Sequence, residues 1–369
     1  MTTPASTSTT AARLERVRAR FDALAVDAIL VTTPSNRRWV SGFTGSAGVA
    51  LVTRYEARFA TDSRYWEQVA QQSPEFALVQ VSGANTGVAP AILEGLGGLR
   101  VGFEAAHLSY ASYEAWTGAL AETPAHSRPA LVPAPRAIED LRMVKDAEEV
   151  DALTRAVHLG DDAFRHAASQ VTPGMTEKQV AWLIQEYAVM HGAEDLSFSS
   201  IVAGGAHGSL PHWRASDAPL EAETGVVIDM GVIVDGYCSD LTRTIWLGDR
   251  PSDEFKRVYD VVLTAQETAE ERIEAGMPGS VGHEIAHEVI RRAGYGERFG
   301  HGLGHGVGLD IHEDPRLAPS GEIALEDGHV VTVEPGIYIP GWGGVRIEDQ
   351  CVMEDGRLRT ISTAPKVAL

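Results

Sequence analysis

Residues 225–247 read GVVIDMGVIVDGYCSDLTRTIWL, two runs rich in Val, Ile and Thr that meet at Asp235-Gly236. Asp-Gly between such runs is the strongest short hairpin signal, and a two-residue turn fixes the register. With 235 and 236 in the turn, 234 faces 237, 231 faces 240 and 229 faces 242. Alternation then puts Asp229 and Asp240 on one face, so two carboxylates project together. Like charges about 4 Å apart repel by roughly 4 kcal/mol at an effective dielectric near 20. A lone pair could be split between a turn cap and a solvated side chain, and a cation is the simplest alternative.

The surrounding chain of 369 residues, 44% hydrophobic, allows two or three domains with ample cores. A formal charge of -20 argues against a nucleic-acid or anionic-membrane surface and suits small-molecule or peptide partners. Two cysteines make no disulfide framework, which fits a reducing, cytoplasmic compartment. No apolar run approaches the roughly 18 residues of a membrane span.

Near the start, Arg13, Arg16, Arg18 and Arg20 after a Ser/Thr-rich stretch superficially suggest a transit peptide, but Glu15 and Asp22 interrupt it. Leu14, Val17, Phe21 and Leu24 instead form a helical stripe leading into AVDAILVTT. Up to about residue 130, helical patterns alternate with short apolar runs, as in a small mixed α/β domain spanning 1–133. Pro133 and Pro135 mark a linker, and a second domain, 142–369, follows.

The second domain repeats itself. An offset of 105 carries Pro173-Gly174 onto Pro278-Gly279, Val180 onto Ile285 and Asp229 onto Glu334. Each half reads as helix, Pro-Gly turn, helix, then strands, which predicts an α+β fold with a pseudo-two-fold axis, helices outside a curved sheet and a cleft at the junction. In GGVRIEDQ, Arg346, Glu348 and Gln350 alternate onto one face of a strand. Three histidines, His301, His305 and His312, lie in HGLGHGVGLDIHEDP. Its glycines make a poor helix and the residue after His301 is not Glu, so the zinc-protease helix motif fails. No clear strand precedes the glycine run, so it is no dinucleotide fingerprint either. These glycines let the backbone pass close to a ligand or another segment.

Asp229, Asp240, Glu334 and Glu348 supply about four negative charges, which two dications would balance. This argues for a binuclear centre with one histidine ligand and metals about 3.5 to 4 Å apart. Carboxylate-rich ligation favours manganese, and one imidazole also admits cobalt, zinc or iron.

IDMG, SDLTRT, HGLGHGVGLDIHE, VEPGIY and VRIED, in this order, resemble the pita-bread metallopeptidases, the family of methionine aminopeptidase, prolidase and aminopeptidase P. The resemblance covers residues 142–360 and implies a pita-bread catalytic domain. It makes Asp229, Asp240, His305, Glu334 and Glu348 the metal ligands, with Asp240 and Glu348 bridging. It makes His212 and His312 the histidines beside the scissile bond, Tyr338 and Arg346 a polar pair close to the centre, and leaves His301 between substrate pocket and support. RRWVSGFTGSAG and ATDSRYWEQ resemble the creatinase-type N-terminal domain of Xaa-Pro aminopeptidases more than that of dipeptidases.

The implied reaction is release of the N-terminal residue from peptides with proline second, by a bridging hydroxide with Glu334 shuttling the proton. A Xaa-Pro dipeptidase is the alternative, and a non-catalytic binding module on the same fold is a third reading. Creatine amidinohydrolase shares the fold without the metal set. The resemblance also implies a homodimer with the N-terminal domain of one chain near the other's cleft, where Trp39 or Trp66 could restrict peptide length.

Overall fold

In a computed structural model that describes residues 9–82 and 87–366, the Asp235-Gly236 turn forms with φ of 50° and 77°. Both positive values are what a two-residue turn of this kind requires. The register follows from it: Asp229 pairs with Thr242 and Val234 with Tyr237. The hairpin does not stay in one sheet. A Cβ on Gly231 would lie 2.0 Å from the Ser239 carbonyl oxygen, so the two strands approach closely there. Beyond that point Val232–Val234 and Tyr237–Cys238 join one sheet, while Thr224–Met230 and Leu241–Leu247 belong to another.

The chain divides into two compact units, Met1–Arg142 and Met143–Leu369. In the second, helices Ala147–Ala168 and Glu177–Met190 make one pair, and Asp253–Arg272 with Gly279–Arg292 the other. Capping boxes at Asp146 with Glu149 and at Thr176 with Gln179 start the first pair, satisfying otherwise orphaned backbone donors. Each pair covers its own core. Phe164, Val180 and Ile184 pack on Val226 and Ile228, and Val258, Val262 and Ile290 pack on Val331 and Val333. The repeat is thus a repeat of packing, and it delivers Asp229 and Glu334 to equivalent strand ends.

The second half uses a five-stranded sheet whose members include Gly304–Gly306, Val330–Val333 and Asp349–Glu354. The glycine run, a poor helix former by sequence, contains a short strand. Its glycines serve contact with other segments: a Cβ on Gly304 would meet the Thr332 carbonyl oxygen at 1.9 Å, and one on Gly306 that of Asp314 at 2.2 Å. The strand expected across Arg346 to Gln350 is broken, because Gly343–Arg346 turns away to pair with Gly336–Ile339.

His329 sits buried at the start of Val330–Val333, with Nδ1 accepting from the Glu326 amide at 3.2 Å. Burial, with Lys145 nearby, lowers its pKa to about 4. The folded state therefore disfavours the protonated ring, and this contribution is present above pH 6.5 and lost as pH falls toward 4. The linkage is on the order of 3 kcal/mol. His329→Asn keeps an acceptor without a titrating ring, so wild type should lose stability relative to it between those values. Equal urea midpoint differences at pH 7 and pH 4.5 would contradict this.

The first unit holds a six-stranded mixed sheet covered by helices. Its edge strand Ala130–Pro133 ends in the proline that the sequence suggested as the start of a linker, an edge position where a missing amide is tolerated. The following residues are folded too: Ala134, Ala137 and Ile138 are buried, and Arg142 donates to Asn36 Oδ1 at 2.5 Å. Trp39 is 1% exposed beneath Arg13 and Arg16, so it packs this unit and presents no surface to a peptide. Trp66 is half-buried, its indole donating to the Thr61 carbonyl. Among the described residues no helix is long and apolar enough to cross a membrane.

Candidate metal centre

The site grows from strand ends that bring remote residues together. Asp240 precedes Leu241–Leu247, His305 lies within Gly304–Gly306, and Glu348 fills the break before Asp349–Glu354. Each of these three buried residues offers one ligand atom, and the three atoms lie within 4.8 Å of one another. Glu334 joins them, its Oε1 3.4 Å from His305 Nε2, which is also 3.5 Å from Asp240 Oδ2. His305 Nδ1 donates to the Gly306 carbonyl at 3.1 Å, which leaves the Nε2 lone pair facing the carboxylates. Thr242 Oγ1 donates to Glu348 Oε2 at 2.7 Å, and the Glu348 amide donates to the Thr242 carbonyl. Gln350 accepts from the Asp240 amide, so it faces the site despite the broken strand.

Asp229 stands beside the cluster. Its Oδ2 accepts from Arg346 at 2.6 Å, while its Oδ1 is buried without a hydrogen-bond partner. Arg346 also donates to Tyr338 Oη at 2.8 Å. His301 Nδ1 donates to the Gly302 carbonyl, so its Nε2 accepts from the Tyr338 hydroxyl at 2.9 Å. Both ring nitrogens of His301 are thereby committed within the protein, although the ring lines the cavity. Burial, assisted by Arg346, lowers its pKa to about 4, in keeping with a neutral ring.

Electrostatically the cluster is short of positive charge. Burial, then Glu348, Asp229 and Glu334, pushes the Asp240 carboxyl well above its usual range, and burial with Glu334 and Asp229 does the same to Glu348. Burial raises Glu334 to about 7 against the opposing pull of Arg346, and burial lowers His305 to about 3. A neutral imidazole, clustered carboxyl oxygens and an orphaned Asp229 oxygen are a donor set that fits divalent cations.

These residues floor a cavity of about 380 Å³ whose walls include Phe198, Ile201, Pro211 and Ile311. His212 and His312, both exposed, line it, and His312 meets the His305 ring edge-on with centroids 4.5 Å apart. Sequence reasoning missed Thr242, which orients Glu348, and Arg316, which is exposed and lines the same cavity. Thr242 was legible as the cross-strand partner of Asp229, and Arg316 only as a cation four residues after His312.

Residues 151–355 match the model of metallopeptidase family M24, and residues 13–144 that of the creatinase/prolidase N-terminal domain. The chain belongs to metallopeptidase family M24. An uncharacterised peptidase of Bacillus subtilis strain 168 is 40% identical over 96% of this chain and 98% of its own length. A Xaa-Pro dipeptidase from Bacillus anthracis superposes with a TM-score of 0.92 at 39% identity, covering 98% of this chain and 99% of that one. An X-Pro aminopeptidase from Thermotoga maritima MSB8 gives 0.86 at 33% identity, covering 97% and 99%. The M24 fold is the expected one: a pita-bread catalytic domain preceded by a creatinase-type domain.

Proposed function

We propose that this M24 metallopeptidase is a Xaa-Pro aminopeptidase, releasing the first residue of peptides that carry proline second. The observation that carries the reading is the convergence of Asp240, His305, Glu334 and Glu348, with Asp229 alongside, on the floor of a cavity walled by Phe198, Ile201, Pro211 and Ile311. An apolar wall suits a pyrrolidine ring, and similarity to a Xaa-Pro dipeptidase and an X-Pro aminopeptidase supports a Xaa-Pro bond as the target.

In this reading the five residues hold two divalent ions, manganese being the best match to hard carboxylate ligands, with cobalt, zinc or iron also suited. When bound, the metals would supply Lewis acidity and a nucleophilic water at neutral pH. Glu334 Oε1 is engaged by Thr332, leaving Oε2 to accept a proton from water and return it to the departing proline nitrogen. His212 and His312, exposed at the cavity, would donate to the carbonyl oxygen as negative charge develops there. Arg346 holds Asp229 in place, Tyr338 steadies the guanidinium, and His301 supports the tyrosine. A cytoplasmic homodimer belongs to the same reading, and sedimentation velocity checks the dimer.

One observation favours a dipeptidase instead. Arg316 brings an exposed guanidinium to the cavity wall, where it could take the free carboxylate of a Xaa-Pro dipeptide. Turnover of Xaa-Pro beside Xaa-Pro-Yaa after manganese loading separates the two. Cleavage of the tripeptide, lost on chelation, is the expected result. Cleavage of the dipeptide alone would select the dipeptidase, and no metal-dependent cleavage of either would return the fold to a binding role.

A further inference from the structure

Glu177 opens the helix Glu177–Met190, is 1% exposed and has no part in the metal centre. Its Oε1 accepts from the Gly204 amide at 3.2 Å and from His207 Nδ1 at 2.7 Å. Its Oε2 accepts from Trp213 Nε1 at 2.8 Å and from the Ser216 amide and hydroxyl at 2.9 and 2.7 Å. All of these partners belong to residues 204–216, on both sides of His212. The ring of His207 stacks on Trp213 with centroids 3.9 Å apart, closing the loop over the carboxylate. Burial by itself would raise this carboxyl, but the hydrogen bonds from Trp213, His207 and Ser216 outweigh it and hold the pKa below the ordinary value. The helix N-terminus also favours an anion here.

The helix does not need that carboxylate in order to form. Thr176 and Gln179 already supply the capping box. In the second half of the repeat the offset of 105 carries Glu177 onto Gly282, inside a helix that starts without a side-chain cap. The carboxylate is thus particular to the half whose loop carries His212.

We propose that Glu177 is a positioning residue, an anionic post around which residues 204–216 fold so that His212 is presented to the cavity. This rests on the reading of His212 as a group acting at the scissile bond. Glu177→Gln is the near-isosteric probe. In either amide orientation its NH2 faces a backbone N–H, because the Gly204 and Ser216 amides approach opposite oxygens.

The experiment compares wild type, Glu177→Gln, His212→Ala and the double variant, all manganese-loaded, on a Xaa-Pro-Yaa peptide, with metal content and hydrogen exchange of residues 204–216 measured in parallel. Glu177→Gln should lower kcat by roughly 10- to 100-fold, as expected for a displaced catalytic group, with a smaller change in KM and metal retained. The double variant should be no slower than His212→Ala, since two residues acting through one group are not additive. Exchange should rise in 204–216 and not in the strands bearing the carboxylates. Trp213→Phe, which removes a single donor, should reproduce the pattern more weakly and guards against a Glu177 variant that fails to fold. Multiplicative losses, unchanged exchange in 204–216, or loss of metal from Glu177→Gln would overturn the proposal. If wild type cleaved no Xaa-Pro peptide, the functional reading would fail, and exchange alone would decide whether Glu177 orders the loop.

Discussion

Asp240→Ala should leave a folded protein that neither retains its divalent metals nor turns over peptide. Asp240 is 5% exposed, and its ligand atom lies within 4.8 Å of those of His305 and Glu348. Its removal takes away the ligand that the family resemblance makes bridging, and with it the means of generating a nucleophile at neutral pH. The same change removes one of several like charges held together by the fold. The metal-free variant should therefore melt at or above the metal-free wild type, even as the gain in stability on adding manganese disappears. Calorimetric titration of manganese and thermal melts with and without it check both halves. Two metals per chain with normal turnover would remove Asp240 from the centre.

Gly304→Ala should be the most damaging single methyl group in the catalytic unit. The added Cβ would lie 1.9 Å from the Thr332 carbonyl oxygen and 2.7 Å from its carbon, and backbone cannot swing aside as a side chain can. Relief requires the strands to part. Thr332 Oγ1 accepts from the His305 amide at 3.1 Å and donates to Glu334 Oε1 at 3.2 Å, so parting them displaces two candidate ligands. We expect a loss of about 3 kcal/mol in stability, at the upper end for overpacking, and a fall in manganese affinity of at least roughly 10-fold. Gly300→Ala is the control, since nothing lies within 4 Å of a Cβ there. Similar urea midpoints for the two variants would show that the Gly304 contact is not tight.

Ordered contacts behind the candidate ligands give some residues more than one duty. Arg346 holds Asp229, Tyr338 and, at 3.4 Å, the Pro211 carbonyl beside His212. The loop bearing His212 is thus gripped from the side of the carboxylate cluster by Arg346 and from the helix side by Glu177. Arg243 lies behind Glu348, reaching its carbonyl and donating to Asp349 at 2.7 Å. Apart from the Arg346–Tyr338 pair, none of these arginine contacts follows from a motif, because each bridges segments 105 to 135 residues apart.

By itself the sequence determined the local geometry and the chemical inventory. Asp235-Gly236 sets a turn whose register places Asp229 opposite Thr242, and alternation puts Asp240 on the same face, because turn type and pleat are properties of a few consecutive residues. The 105-residue repeat matched Asp229 with Glu334 through the periodicity of the helices before them. Tertiary structure alone decided what those groups meet. The bend at Gly231 depends on a close backbone approach and the break at Glu348 on the pairing of Gly343–Arg346 with Gly336–Ile339, and no periodicity encodes either. The residues that the sequence left ambiguous, His301 committed to Tyr338 and Trp39 buried under two arginines, were decided by partners 23 to 37 residues away. Glu177 had no signal beyond a helix start, because its partners lie 27 to 39 residues further on and converge only when the loop closes. Turn chemistry and alternation act between neighbours, whereas convergence on a site is set by packing between segments remote in the chain.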